Sequence, residues 1–148
     1  MATVDVGAAE KTGKPGTDRL QCVVVTPERT LFDELVDFVA LPLYDGELGV
    51  LPGRTPLIGR LGFGELRTKD GASTRRYFVD GGFAQVRDDV ITILTNRAIP
   101  AADVDSAAAT AELERARARR ATTELDQSDK ARALDRARAL VRVATHRG

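Results

Sequence analysis

VITILTNRAIPAADVDSAAATA, residues 90–111, changes character at Pro100, and that change decides how the chain is organised. Before it, β-branched residues alternate as in a strand. After it there is no further Pro, the only Gly is the terminal Gly148, and 14 of the last 48 residues are Ala. Working back from this boundary, short runs of strand chemistry recur at 20–26 (LQCVVVT), 35–41 (LVDFVAL), 57–61, 65–68, 76–79, 83–87 and 90–95, separated by turn formers. Asp70-Gly71 suits a hairpin turn with positive φ, and Arg87-Asp88-Asp89 closes another. Seven or more strands at about ten-residue spacing predict an antiparallel β-sandwich or flattened barrel over residues 19–100.

Working forward, apolar residues recur at helical spacing through Val104, Ala108, Ala111, Ala118, Ala121 and Leu125, then through Ala131, Leu134, Ala137, Val141 and Ala144. Two amphipathic helices in an antiparallel hairpin are expected over 101–148, the first capped by Asp103 or Asp105. The break is expected at Asp126-Gln127-Ser128-Asp129, with Ser128 or Asp129 capping the second. Ala faces bring helices close but bury little area, so at about 25 cal/mol per Å² the hairpin gains little from packing. Such a pair is marginal alone, and the pattern leaves two readings open, a plain packed hairpin that stays put, which the pattern favours, and one that exchanges one partner for another at small cost. Residues 1–18 lack the patterns of a signal or transit peptide and read as a flexible arm.

Composition removes several function classes. The 148 residues hold 22 basic and 22 acidic side chains, which argues against a dedicated nucleic-acid binder. No apolar run approaches the roughly 18 residues of a membrane span. One Cys and one His nearly exclude a transition-metal site of the usual His/Cys kind, and His146 lies two residues from the end. Cys22 sits in a Val-rich strand, where a buried, inert thiol is the plain reading.

The glycines from Gly46 to Gly64 fit neither GxxxxGK[ST] nor a GxGxxG opening a helix, and suit loops. The acidic pairs Asp88-Asp89 and Glu34/Asp37 have no third ligand in view and read as solvated positions. No catalytic constellation emerges. What remains is an Arg-rich hairpin in which Arg138 and Arg142, four apart, share a helix face and can reach one polyanion. From the residues alone, a β-sandwich adaptor docking a basic hairpin on an acidic partner and a small nucleotide-sensing module both stay open.

One stretch goes further. LVDFVALPLYDGELGVLPGRTPLI (35–58) and YFVDGGFAQVRDDVITILTNRA (77–98) closely resemble the ε subunit of F-type ATP synthases, with its GELGVLPGxxPL and GGFxxV motifs in the same order. The likeness runs from Leu20 to His146. It implies a non-catalytic rotor subunit of the proton-translocating synthase that binds the γ subunit and the c-ring and couples ring rotation to the catalytic head. No cofactor is required. The ring-contact loop carries over onto Asp45, Gly46, Glu47, Leu48 and the Gly53-Arg54 turn, with Arg54 where most members have His, so a permanent cation replaces a titratable group. The γ-facing strands are expected to include 78–83.

The resemblance also implies a C-terminal hairpin that can extend to the α/β head and inhibit ATP hydrolysis. Some members bind regulatory ATP through (I/L)DxxRA on the first helix and two Arg on the second. Here Val104-Asp105 opens that motif, Ala108 stands at its Arg position, and Arg138 and Arg142 match the second-helix pattern. One lost charge-assisted phosphate contact costs roughly 1.5–3 kcal/mol, so ATP binding is expected to be weak or absent. The expected location is peripheral, on the cytoplasmic face of a bacterial plasma membrane and without direct insertion. Zero net charge is then a cancellation, because residues 1–104 carry −3 and residues 105–148 carry +3.

Overall fold

The computed structural model describes residues 19–146; the arm expected over 1–18 lies outside them. Eight strands precede the helices: β1 (Leu20–Val25), β2 (Thr30–Val36), β3 (Phe38–Leu43), β4 (Gly46–Val50), β5 (Leu57–Asp70), β6 (Ser73–Arg87), β7 (Val90–Leu94) and β8 (Ala98–Pro100). Pairing runs β2-β1-β7-β6-β5-β3-β4, with β8 on β6, and the ladder does not close into a barrel. All pairs are antiparallel except β1 with β7.

Four of the expected runs fuse into two long strands. Residues 57–61 and 65–68 are parts of β5, and 76–79 and 83–87 are parts of β6, because Gly62 and Gly81 mark a bend inside paired strands and not a turn between them. Register passes from Leu61↔Gly82 to Phe63↔Asp80 across that bend. The second half of β6 pairs with β7 and the first half with β8, while β3 pairs with β5 chiefly at 67–69. That shared bend makes two layers from one ladder. The run expected at 35–41 is instead divided at Asp37 between β2 and β3.

Both expected tight turns are present: Gly71 has φ 62°, and Asp88 and Asp89 have φ 51° and 62°. The core between the layers is aliphatic, with Leu20, Cys22, Val24, Val39, Leu41, Leu66, Ile91 and Ile93 almost wholly buried. Burial and the nearby Asp33 and Glu34 carboxylates push the Cys22 thiol up to about 12, so it stays protonated and inert.

After Pro100 a single 3-10 turn (Ala101–Asp103) leads into α1 (Ser106–Ala118), and α2 (Glu124–Thr145) returns. Asp105 caps α1, as expected: its Oδ1 accepts from the backbone N–H of Ala107 and Ala108 at 2.9 and 3.3 Å. The break between the helices lies earlier than expected. It occupies residues 119–123, and 126–129 belong to the first turns of α2. Thr123 and Asp126 form a capping box there, which draws acidic residues inside the helix start. Hydrogen bonds from Thr122 and Thr123 hold the Asp126 carboxyl below its ordinary range.

The buried face of α1 is Ala109 and Ala116, not the exposed Ala108, Ala111 and Ala118. α2 buries Ala137, Ala139, Leu140 and Val143. Ala139, Leu140 and Val143 of α2 and Ala109 of α1 meet Phe78 in a second cluster, flanked by Phe63, Ile99 and Val104. No helix among the described residues is long and apolar enough to cross a membrane.

Candidate functional site

The residues expected to meet the ring fall at the two ends of β4. Asp45 and Gly46 (φ 142°) form the exposed tip of the β3–β4 hairpin. The Glu47 carboxylate accepts from Arg67 at 3.0 Å, and Leu48 turns inward onto the sandwich core. Gly53 and the exposed Arg54 lie on the loop beyond the other end of β4, where the Gly53 N–H donates to the Asp89 carboxylate at 2.8 Å. Beside the hairpin tip, the Arg60 guanidinium lies 4.7 Å over the exposed Tyr44 ring.

Of the expected nucleotide contacts, the structure brings Arg138 and Arg142 together and leaves Asp105 at the start of α1. The two Arg line a cleft of about 600 Å³ between α2 and the bend at Gly62, Gly81 and Gly82. Arg60 and Arg132 line the same cleft, a grouping that no local motif signals. Arg138 is half exposed, its Nη1 4.0 Å from the Asp135 carboxylate. No group of three or more metal-ligating side chains occurs among the described residues.

α2 is held to the sandwich at two ionic contacts that the sequence did not reveal. Asp80, buried just before the Gly81-Gly82 bend, accepts from Nε of Arg136 at 3.1 Å, and Arg136 also lies 4.9 Å over the Phe63 ring. Glu65 is shared by Arg76 at 2.6 Å and by Nδ1 of His146 at 3.1 Å, while Arg76 also donates to the Val143 carbonyl at 3.2 Å. Burial alone would raise the Glu65 pKa, but hydrogen bonds and charge from Arg76 and His146 outweigh it and hold the carboxyl below its ordinary range. α1 buries only two Ala, so the hairpin is fastened chiefly through α2.

The outer face of the opposite layer carries an apolar stripe. Ile58, Phe83 and Leu94 are 74%, 56% and 51% exposed. Phe83 pairs directly with Leu94, Leu94 with Val25, and Ile58 stands diagonally beside Phe83. Three large neighbouring apolar side chains left in water mark an interaction surface more readily than a solvated face.

Residues 19–101 match the family described as ATP synthase, Delta/Epsilon chain, beta-sandwich domain. An ATP synthase epsilon chain from Rhodopirellula baltica is 52% identical over 84% of this chain and 98% of its own length. One from Syntrophobacter fumaroxidans is 39% identical over 86% and 96%. Among solved structures, a chain of the Euglena gracilis mitochondrial ATP synthase with OSCP, F1 and c-ring superposes with TM-score 0.78 at 27% identity, covering 90% of this chain and 86% of that one. A chain of the Tetrahymena thermophila central stalk and c-ring shares the fold, with TM-score 0.69 at 12% identity over 85% and 96%. The chain belongs to the ATP synthase epsilon chain family, and is a rotor-stalk subunit of that enzyme with no catalytic site of its own.

Proposed function

We propose that the chain couples the c-ring to the catalytic head by seating the γ subunit on its exposed apolar stripe and offering the β3–β4 hairpin to the ring. The stripe carries this reading: Phe83, at its centre, is over half exposed, paired with Leu94 on β7 and diagonal to Ile58 on β5, where its direct partner is Arg60. Asp45 and Gly46 form a polar tip suited to polar ring loops, with Glu47 fixed behind them by Arg67. The subunit then sits peripherally, at the cytoplasmic face of a bacterial plasma membrane. Phe83→Asp should cost about tenfold or more in affinity for γ, since it places a charge at the centre of an apolar interface. Pull-down and calorimetry with purified γ measure it, with Thr74→Asp at an exposed strand end as control. Equal affinity of the two variants would remove the stripe from the interface.

We further propose that 101–148 form a detachable inhibitory hairpin that reaches the α/β head. What supports this is the small apolar contact of the hairpin, one Leu, one Val and four Ala well buried, beside ionic contacts to Asp80 and Glu65. Truncation after Asp103 should raise ATP hydrolysis by the assembled enzyme severalfold. An unchanged rate would leave the hairpin as packing only. ATP at the Arg138–Arg142 cleft is expected to bind weakly, since Asp105 is already engaged by the α1 backbone and Ala108 offers no charge.

A further inference from the structure

The sandwich surface under α2 holds two carboxylates, and each is approached by cations from both sides of the contact. On Glu65 the hairpin's partner is His146, the residue that follows α2, and the sandwich partner is Arg76, already in contact at 2.6 Å. Glu65 therefore keeps a cation whether or not α2 is present. Asp80 is arranged differently. Its Oδ1 is held by Arg136 of α2, while Arg97, just before β8, places Nη2 3.8 Å from Oδ2, beyond hydrogen-bond distance. The Asp80 side chain is only 12% exposed, whereas Arg97 is 47% exposed and lies 5.7 Å over the Phe78 ring that the hairpin covers.

We infer that Arg97 is a standby partner for Asp80: when α2 lifts away with Arg136, Arg97 closes the remaining gap and keeps the carboxylate paired. Such an exchange matters because a buried charge that loses its only partner is far more costly than one that changes partners. An exposed guanidinium already beside the carboxylate needs only a small side-chain movement. The movement also keeps Arg97 near the Phe78 ring, which departure of Leu140 and Val143 uncovers. Arg97 thus lowers the cost of the detached state and contributes little to the docked one. This inference rests on the detachable-hairpin reading.

The test is a distance measurement between spin labels on the full chain carrying Thr74→Cys and Leu125→Cys, both at exposed positions, free and bound to γ. Cys22 does not compete for label, being buried and protonated. Arg97→Gln is expected to lower the detached-to-docked ratio about tenfold, because the detached state then leaves a carboxylate without its cation. Arg136→Gln should raise the ratio by a similar factor. In an Asp80→Asn background Arg97→Gln should have no effect. Two populations whose ratio ignores Arg97, or rises in Arg97→Gln as it does in Arg136→Gln, overturn the exchange alone. A single distance, that of the docked hairpin, in every variant, free and γ-bound, overturns the detachable hairpin and the exchange with it.

Discussion

Gly82→Ala is expected to lower the melting temperature of the full chain by about 10 °C or more, the loss of roughly 3–5 kcal/mol from combined backbone strain and steric overlap. Gly82 has φ 109°, a region that side chains on L-residues rarely enter. A Cβ there would also run into the Leu94 carbonyl oxygen and approach the Thr95 Cα, both backbone atoms that cannot rotate away. Relief requires β6 and β7 to separate beside the paired Phe83 and Leu94, which disturbs the core as well as the exposed stripe. Gly71→Ala supplies the comparison. Gly71 also has positive φ, at 62°, but a Cβ there meets nothing within 4 Å, so only about 1 kcal/mol is expected. Thermal melts of the two variants within a few degrees of each other would show that β6 and β7 are not clamped at this point.

The contrast between these glycines also shows what could be read in the sequence. Asp70-Gly71 is a local turn signal between two strand patterns, and it is the hairpin turn between β5 and β6. Gly81-Gly82 looks equally like punctuation, yet it bends one long strand so that it serves both layers. Only the pairing partners on either side, β8 before the bend and β7 after it, make that distinction. The helices tell a similar story. Ala at nearly every second position, as in 116–118 and 137–139, permits several stripes of equal quality, so their register followed from contact with Phe78 and not from periodicity. The polar run 126–129 resembled a break. The T-x-x-D spacing of Thr123 and Asp126 was the better signal, because acidic residues favour the first turn of a helix. Asp80 with Arg136, 56 residues apart, has no local signature at all. By contrast, the GELGV and GGF motifs carried the family assignment directly, and Arg138 with Arg142 were placed on one face by spacing alone.

Phe78→Ala is the second large effect expected, and its distribution over the molecule matters more than its total. Phe78 is the largest wholly buried side chain among the described residues, and truncation of such a residue costs about 3–5 kcal/mol. It belongs to the cluster with Ala109, Ala139, Leu140 and Val143, separate from the aliphatic core of Leu66, Ile91 and Ile93. The cavity left by the ring therefore opens at the seam between α2 and the sandwich. If the hairpin detaches as a unit, most of the loss falls on docking. Amides of 137–143 in α2 should then exchange about a hundredfold faster, while those of 91–93 in β7 change far less. Leu66→Ala should act on both places, weakening β7 and α2 together, because the hairpin has no surface to dock on once the sandwich opens. Equal acceleration at both places in Phe78→Ala would mean that helices and strands unfold in one step. A hairpin that cannot open without the sandwich could not serve as a regulatory arm.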